Sequence, residues 1–309
     1  MDPSRRLFIG FAMEWTSEQR ARIQQGCPPE IDLAFLGSAP IDRNVLARLD
    51  ALVVGTEPVS NALLAATPRL KLIQRWGTGL DNIDRDHVAS RGIATAELPG
   101  VNARSVSEFI LLAMLALLRQ LPDVAVSWSR GMWETGRVGL PPRRLQGKTV
   151  GLMGFGAIGR DLAGLLQSLD VDILYHDAVA ADVAGLSVRY AAKEELLESA
   201  DIISVQLPLN PATPCAIGAP EIALMKRSAI LISVSRAGVV DETAARLAVR
   251  EGRLAAASFD NFAIEPLPAD KIGYTPGILA TPHIGGAAIE GFEALIDACF
   301  ASITRHFGP

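Results

Sequence analysis

The sequence has 309 residues, which suits two domains, and 49% of them are hydrophobic and 20% charged, enough apolar material for ordinary cores. The formal net charge is −5 and no long basic run is present, so the composition disfavours nucleic acid as a partner. Three widely spaced cysteines, Cys27, Cys215 and Cys299, suggest neither a disulfide framework nor a metal site, and they favour a reducing, cytoplasmic location.

The first half of the chain alternates short apolar runs with helical segments. Four runs predict strands: RLFIGFAM (6–13), IDLAFLG (31–37), ALVVGT (51–56) and LKLIQRWG (70–77). The N-terminal segment lacks the long apolar core and the small-residue cleavage site of a signal peptide. We therefore expect these residues to belong to the folded protein.

A long helix is predicted after the Pro-Gly turn of ELPGVNARSVSEF (97–109). Its centre, FILLAMLALL (109–118), is the longest uninterrupted apolar stretch, but it is too short to cross a bilayer, which needs about 20 residues. Because the stretch is apolar on every side, it predicts a helix buried on all faces, either in the core or beneath a partner subunit. We expect no membrane segment.

From residue 148 the alternation becomes more regular. Five continuous apolar runs, of the kind buried on both faces of a parallel sheet, predict strands: KTVGLMGFG (148–156), VDILYHD (171–177), DIISVQLP (201–208), AILISVS (229–235) and LAAASFD (254–260). Helical segments such as 157–168 and 240–250 lie between them. Alternation of this kind implies right-handed crossovers and a doubly wound α/β sheet.

The last predicted helix follows the glycine pair at 285–286. If the second domain spans 99–285, this helix must return to the first domain, which then comprises 1–98 plus 286–309. Two chain crossings between the domains would form a hinge with a cleft beneath it.

A glycine pattern opens the second domain. TVGLMGFGAIGRDLAGLL (149–166) contains GxGxxG as Gly154, Gly156 and Gly159, placed between an apolar strand and a helix. The pattern alone is weak, but in this context it predicts a tight turn at Gly154, close approach of a pyrophosphate at Gly156 and close helix–strand packing at Gly159. The helix N-terminus would offer N–H groups to the phosphates. The alternative is a glycine turn without a ligand.

Asp177 ends the next strand, 18 positions after Gly159. A carboxylate at this position accepts hydrogen bonds from a ribose hydroxyl and repels a 2′-phosphate, so it predicts NAD rather than NADP. His176 beside it would soften that preference when protonated.

Five separated segments carry a resemblance that extends over nearly the whole chain after about residue 50: RWGTGLDNID (75–84), GFGAIG (154–159), SVSRAGVVDE (233–242), DNFAIEP (260–266) and TPHIGG (281–286). In order and spacing they resemble the D-isomer-specific 2-hydroxyacid dehydrogenases. The resemblance implies an α/β fold class with two doubly wound parallel-sheet domains, a flavodoxin-like substrate domain (1–98 plus 286–309) and a Rossmann NAD-binding domain (99–285), with an interdomain cleft. It also implies NAD(H)-dependent interconversion of a small 2-oxo acid and a D-2-hydroxy acid.

Three catalytic side chains are implied by the resemblance. Arg236 corresponds to the substrate-binding arginine, Glu265 to the acid that partners the histidine, and His283 to the general acid/base. Reduction of a ketone by hydride leaves negative charge on oxygen, and a histidine can donate the proton required there. An arginine can hold a carboxylate in a fork of two charge-assisted bonds. Considered alone, the three residues would indicate a surface arginine, a solvated turn and a structural histidine.

The resemblance also implies a binding site around these groups. The backbone N–H groups of Gly77, Thr78 and Gly79 are expected to hold the substrate's carboxylate, with Trp76 narrowing the pocket beside them. Asp260 is expected at the nicotinamide side of the cofactor. The full set of expected cofactor contacts is Gly154, Gly156, Ala157, Ile158, Gly159, Asp177, Leu207, Pro208, Thr213, Val234, Ser235, Asp260 and Gly285.

Substrate and assembly are less constrained by the sequence. Small 2-oxo acids such as glyoxylate and hydroxypyruvate are favoured. Arg75, Arg143 and Arg144 either meet a second anionic group of the substrate or, the preferred interpretation, are solvated. The family is usually dimeric, which predicts a homodimer through 102–140, where Trp128 or Trp133 can reach across the interface. No metal is expected.

Four positions depart from the family's common pattern: Ala157, Ser233, Ala237 and Asn261. None of them touches the three catalytic residues. Two alternatives stay open. One is an NAD(H)-sensing interaction protein of the corepressor type. The other is a dehydrogenase of the same fold with a non-carbon substrate, disfavoured because the related phosphite dehydrogenases carry a lysine where this chain has Thr78.

Overall fold

The structure is a computed structural model that describes residues 5–37, 41–56, 58–133, 141–183 and 185–308. It consists of two compact units: unit 1 is Met1–Asn102 with Ala288–Pro309, and unit 2 is Ala103–Ala287. The chain therefore leaves unit 1 a few residues after the predicted 98/99 boundary, because Val101 still packs against the core of unit 1. Each unit contains one parallel sheet, so the predicted α/β class is confirmed.

Unit 1 contains a five-stranded parallel sheet. Its strands are β1 (Leu7–Phe11), β2 (Ile31–Phe35), β3 (Ala51–Val54), β4 (Leu72–Arg75) and β5 (Ala94–Ala96). They lie in the order β2-β1-β3-β4-β5, the flavodoxin-like arrangement. The four predicted strands are present, each shorter than its apolar run. The three-residue β5 carries too little apolar signal to be predicted.

In the described residues, the helices that accompany this sheet are α1 (Ser17–Gln25), α2 (Arg43–Leu46), α3 (Asn61–Ala65), α4 (Arg85–Ser90) and α11 (Ile289–Phe307). The first four begin at capping side chains, among them Thr16, which forms a reciprocal capping box with Gln19. Helix α11 buries a stripe that includes Leu295, Cys299 and Ile303 in the same core as β1 and β3. Helix α11 thus packs in the unit that contains the first hundred residues.

Unit 2 contains a seven-stranded parallel sheet. Its strands are β6 (Thr149–Met153), β7 (Asp172–His176), β8 (Arg189–Tyr190), β9 (Ile202–Val205), β10 (Ile230–Ser233), β11 (Ala256–Phe259) and β12 (Ile278–Ala280). They lie in the order β12-β11-β10-β9-β6-β7-β8. The five predicted strands form the centre, where β9, β10 and β11 are buried throughout, as continuous apolar runs require. The two short edge strands were not predicted.

Outside the gaps at 134–140 and 184, the helices that accompany the second sheet are α5 (Ala103–Leu118), α6 (Leu121–Ser129), α7 (Ala157–Leu166), α8 (Lys193–Ser199), α9 (Ala219–Leu224) and α10 (Glu242–Arg250). Helix α5 packs against α7 and buries Ile110, Met114 and Leu117 in the core. Its opposite side exposes Leu112 (58%) and Leu115 (43%). Of the two alternatives for residues 109–118, burial in the core on every face is therefore excluded, and cover by a partner subunit stays a prediction.

In the described part of the chain, no single helix has the length and apolarity to span a bilayer, although α5 and α6, bent by 66° at the break between them, meet that test as a pair.

Candidate active site

The loop between β6 and α7 has room for a dinucleotide's phosphates. Gly154 turns the chain with φ +99°, and Gly156 precedes the first turn of α7 with no side chain capping the helix. A Cβ on Gly159 would lie 2.5 Å from the Gly154 carbonyl oxygen, whereas a Cβ on Gly156 would meet nothing within 4 Å. The backbone is thus open where a pyrophosphate would approach and tight where helix meets strand, so these residues fit the cofactor.

Asp177 follows β7 and binds this loop directly. Its Oδ2 accepts the Phe155 N–H at 2.7 Å, and its Oδ1 accepts the Ala178 N–H at 2.7 Å. The carboxylate therefore holds the phosphate loop beside the strand end, a role in addition to the expected contact with a ribose. The neighbouring His176 is held by its Nδ1, 3.0 Å from the Ala191 carbonyl oxygen.

Further expected cofactor residues lie beyond the carboxyl ends of β9 and β10. Leu207 and Pro208 follow β9, and the Thr213 hydroxyl donates to the Pro208 carbonyl at 2.6 Å, which closes the loop. Beyond β10, the Val234 N–H donates to the Val205 carbonyl at 3.2 Å, and the Ser235 hydroxyl donates to the same oxygen at 2.9 Å. Open α/β sheets bind ligands at this edge.

His283 is paired with Glu265. The His283 Nδ1 and the Glu265 Oε2 are 2.7 Å apart, and the other oxygen of Glu265 accepts the Phe262 N–H at 2.8 Å. The carboxylate is thereby fixed at both oxygens, and it orients the imidazole so that Nε2 can face a reactant. The His283 backbone has φ +56°, a left-handed conformation that is uncommon outside glycine and concentrated at functional sites.

Asp260 organises the loop that carries His283. This carboxylate is only 2% exposed, and its Oδ1 accepts both the Thr281 hydroxyl at 2.7 Å and the Ile284 N–H at 2.8 Å. Its Oδ2 accepts the Gly285 N–H at 2.7 Å, and a Cβ on Gly285 would lie 2.8 Å from that oxygen. The resemblance implies that Asp260 lies at the nicotinamide side of the cofactor. In the structure, both oxygens of Asp260 bind the 281–285 loop, a function that sequence reasoning missed.

Sheet topology brings the three candidate catalytic residues to one edge. Arg236 follows β10, Glu265 follows β11 and His283 follows β12. These strands are neighbours and run parallel, so their carboxyl ends meet at the same side of unit 2.

In unit 1, the side chain of Arg75 binds the loop that follows β4. This side chain is buried, with 5% exposure, and it donates to the carbonyls of Gly79 at 3.0 Å, Trp76 at 3.0 Å and Val54 at 3.2 Å. The expectation that Arg75 is solvated is wrong, because its guanidinium fixes the shape of the predicted carboxylate cradle. On the other side, the Gly79 N–H donates to the Glu97 Oε1 at 2.6 Å.

The other two arginines considered for an anionic substrate lie in unit 2. Arg143 is half-buried and donates to the Ser228 carbonyl at 2.7 Å. Burial lowers the pKa of this guanidinium, and nearby Asp201 opposes that change. Arg144 is exposed. Of the three, therefore, only Arg144 matches the expectation of a solvated side chain.

Trp76 belongs to an aromatic cluster in the core of unit 1. Its ring centroid lies 5.1 Å from that of Trp15, 5.6 Å from that of Phe292 and 6.2 Å from that of Phe11. These are ordinary distances for packed aromatic pairs. The expected narrowing of a substrate pocket by Trp76 therefore depends on its half-exposed edge alone.

Comparison with known proteins gives a family match. The model described as "D-isomer specific 2-hydroxyacid dehydrogenase, NAD binding domain" matches residues 111–285. An (S)-sulfolactate dehydrogenase from Chromohalobacter salexigens is 36% identical over 293 residues, which are 93% of this chain and 94% of the relative. A glyoxylate reductase from Thermococcus litoralis is 34% identical over 257 residues, covering 81% and 78% of the two chains.

A solved structure of a similar enzyme has the same fold as this chain. The NADPH-dependent glyoxylate/hydroxypyruvate reductase from Sinorhizobium meliloti, in complex with NADP and malonate, superimposes with a TM-score of 0.83 at 26% identity. The superposition covers 98% of this chain and 94% of that chain.

Proposed function

Since this chain belongs to the D-isomer-specific 2-hydroxyacid dehydrogenase family, we propose that it interconverts a small 2-oxo acid and a D-2-hydroxy acid with NAD(H), using His283, Glu265 and Arg236. Membership itself makes the protein an oxidoreductase of 2-hydroxy or 2-oxo acids that uses a nicotinamide cofactor. The resemblance inferred from the five sequence segments is confirmed. The observation that carries the finer proposal is the 2.7 Å pair between His283 and Glu265.

Proton transfer is assigned to His283. A nicotinamide cofactor, when bound, would supply the hydride for the substrate's carbonyl carbon. His283 donates a proton from Nε2 to the carbonyl oxygen and takes it back in the reverse reaction, while the Glu265 carboxylate stabilises the imidazolium. Positioned proton transfer of this kind accelerates reactions by about 10²–10⁴-fold.

Substrate orientation is assigned to Arg236 and to the cradle of Gly77, Thr78 and Gly79. The planar guanidinium can form two parallel bonds to a carboxylate, which fixes the reacting carbon as well as binding it. Support for the cradle comes from the 2.6 Å bond that the Gly79 N–H already donates to a carboxylate, Glu97.

We assign NAD rather than NADP as the preferred cofactor. The support is the negative charge of Asp177, 2.7 Å from the backbone of the phosphate loop, where it would repel a 2′-phosphate. The similar reductase from Sinorhizobium meliloti is NADPH-dependent, so the preference requires a direct measurement.

The first experiment is consumption of NADH and NADPH by the purified protein. The 2-oxo acids are glyoxylate, hydroxypyruvate, pyruvate, phenylpyruvate and branched acids, with 3-sulfopyruvate added because a relative is a sulfolactate dehydrogenase. We expect turnover with NADH and at least one small 2-oxo acid, glyoxylate and hydroxypyruvate foremost. Tight NADH binding without turnover of any of them would contradict the proposal and favour an NAD(H)-sensing role.

His283→Ala tests the assigned proton donor. We expect reduction at neutral pH to fall by about 10²–10⁴-fold, because the carbonyl oxygen loses its acid, while NADH affinity stays unchanged. The matched control is His306→Ala, which removes an exposed histidine near the end of α11. Near-normal turnover by the His283 variant would contradict the assignment.

We also propose that the protein is a cytoplasmic homodimer that pairs through residues 102–140. Support for the pairing comes from exposed apolar side chains within the described part of this region: Leu112, Leu115, Leu121, Trp128, Met132 and Trp133. Exposed apolar surface is a common mark of interaction sites. Residues 134–140 of the predicted interface lie outside the described residues.

A further inference from the structure

The loop 77–79 is the predicted cradle for the substrate's carboxylate, and its shape is fixed by its neighbours. Gly77 and Gly79 have φ angles of +107° and +96°, which side-chain-bearing residues rarely adopt. Arg75 holds the carbonyls of Trp76 and Gly79, and the Leu98 N–H holds the carbonyl of Gly77 at 2.8 Å. A trans peptide directs its C=O and its N–H to opposite sides. Because the carbonyls of Trp76 and Gly77 are held by these partners, the N–H groups of the next residues, Gly77 and Thr78, point away from them.

A carboxylate of the chain itself, that of Glu97, already binds the loop 77–79. Glu97 directly follows β5, and the last residue of β5, Ala96, pairs with Gln74 of β4. The ends of the two strands are therefore adjacent, and the Glu97 Oε1 lies 2.6 Å from the Gly79 nitrogen. Glu97 is half-buried, and within the described residues no ion pair neutralises it. Its negative charge is thus placed at the predicted binding site of the substrate's carboxylate.

We propose that Glu97 lowers the affinity for substrate, as an internal carboxylate that competes with the carboxylate of a 2-oxo acid for the Gly79 N–H. This inference rests on the proposed function, which assigns the cradle to the substrate. One N–H cannot bind two carboxylates at full strength, and like charges a few ångströms apart repel each other. Substrate binding therefore requires the Glu97 side chain to leave Gly79, and the cost of that movement weakens the affinity for the substrate.

A purely structural role for Glu97 predicts different behaviour. If the carboxylate only shaped the loop, its removal would disorder the cradle and weaken substrate binding. Two variants separate these roles. Glu97→Gln keeps an oxygen that can accept the Gly79 N–H and removes only the charge, whereas Glu97→Ala removes both the oxygen and the charge.

The kinetic experiment compares both variants with the wild type on the best 2-oxo acid of the panel. We expect Glu97→Gln to lower KM by about tenfold with kcat unchanged, and Glu97→Ala to lower KM at least as much. Glu198→Gln, on the exposed face of α8, is the charge-matched control and should leave KM unchanged. An unchanged KM in Glu97→Gln, or a raised KM in Glu97→Ala, overturns the proposal.

A binding experiment tests the same proposal without turnover. Calorimetric titration of oxamate, a stable analogue of a 2-oxo acid, into the protein with NADH should give a Kd about tenfold lower for Glu97→Gln than for the wild type. Equal affinities, or binding to neither protein, overturn the competition. Failure of the panel assay with this Kd difference intact would instead remove the proposed reaction and retain Glu97 as a competitor for carboxylates.

Discussion

Two carboxylates act on His283 in different ways. Glu265 binds the imidazole ring, and Asp260 binds the loop on both sides of it, through the Thr281 hydroxyl and the N–H groups of Ile284 and Gly285. The first contact was expected from the motif, because a catalytic histidine needs an oriented ring. The second could not be deduced from the chain, since an aspartate at a strand end looks the same whether it faces a ligand or a neighbouring loop.

The same limit applies to Arg75 and Glu97 in unit 1. Arginine is usually exposed, so its sequence neighbours gave no sign that it would be buried under the glycine loop with its donors on backbone carbonyls. Glu97 lies 18 residues from Gly79 in sequence, and only the pairing of β4 with β5 brings the two together. Glycine positions were predictable because backbone conformation is a local property.

The choice of cofactor can be tested at Asp177. In Asp177→Asn an oxygen remains to accept the Phe155 N–H, but the charge that repels a 2′-phosphate is removed. We expect the ratio of kcat/KM for NADH over NADPH to fall about tenfold, chiefly through a gain with NADPH. Asp172→Asn, at the exposed start of β7, is the control. If the ratio does not change, another residue selects the cofactor.

At the scale of elements, continuous apolar runs were the reliable signal. They located the central strands of both sheets, because a strand covered on both faces must be apolar throughout. The short β5, β8 and β12 were missed, since three or fewer residues at a sheet edge need no such run. Helix starts followed side-chain caps, as at Asp241, which accepts the Ala244 N–H and begins α10 two residues later than predicted.

The proposed homodimer interface can be tested at helix α5. Leu112→Glu adds a charge to its uncovered face and should split a homodimer into monomers, because an unpaired charge would be buried in the interface. The monomer fold should survive, as the side chain is 58% exposed within the chain. Light scattering after size exclusion would report the mass, with Leu224→Glu, at the end of α9, as the control. A monomeric wild type, or an unchanged dimer in Leu112→Glu, would contradict the proposed interface.

At the scale of the whole molecule, stability depends on pH through two acidic residues of the described part of the chain, and both lie in unit 2. Burial raises the pKa of Asp201, but the Thr149 N–H and Lys226 outweigh it and hold the pKa below its usual value. The pKa of Glu221 is likewise lowered against burial, by Lys193 and the Gly218 N–H. Groups with a lowered pKa in the folded state stabilise it above their unfolded pKa, and this contribution is lost as pH falls through the folded pKa.

Asp201→Asn should therefore lower the Tm by about 2–4 °C at neutral pH, the effect of about 1 kcal/mol in a unit of this size. The difference from the wild type should shrink as the solution is acidified, because the wild type loses the same interaction. Thermal unfolding followed by circular dichroism at several pH values measures it, with Asp270→Asn, an exposed position, as the control. A difference that is constant with pH would show that the charge of Asp201 is not responsible.

The division into two units was predictable because the return of the last helix is implied by the family's order of segments. The hinge and cleft expected from the two crossings remain predictions, as does the assignment of substrate binding to 1–98 plus 286–309. Motif spacing orders residues along a chain, whereas the placement of one unit against another depends on a few residues at the crossings.

The two crossings have a consequence for synthesis of the protein. Unit 2 is one continuous segment, Ala103–Ala287, but the core of unit 1 includes Leu295, Phe300 and Ile303 from α11, which the ribosome makes after unit 2. The residues before 103 therefore cannot complete their core until the whole of unit 2 has been translated. During that time part of their apolar surface is uncovered, while unit 2 is able to fold. Chaperones that bind nascent chains would find their target in the first hundred residues, and a ribosome that stalls before α11 would leave unit 1 without the helix that closes its core.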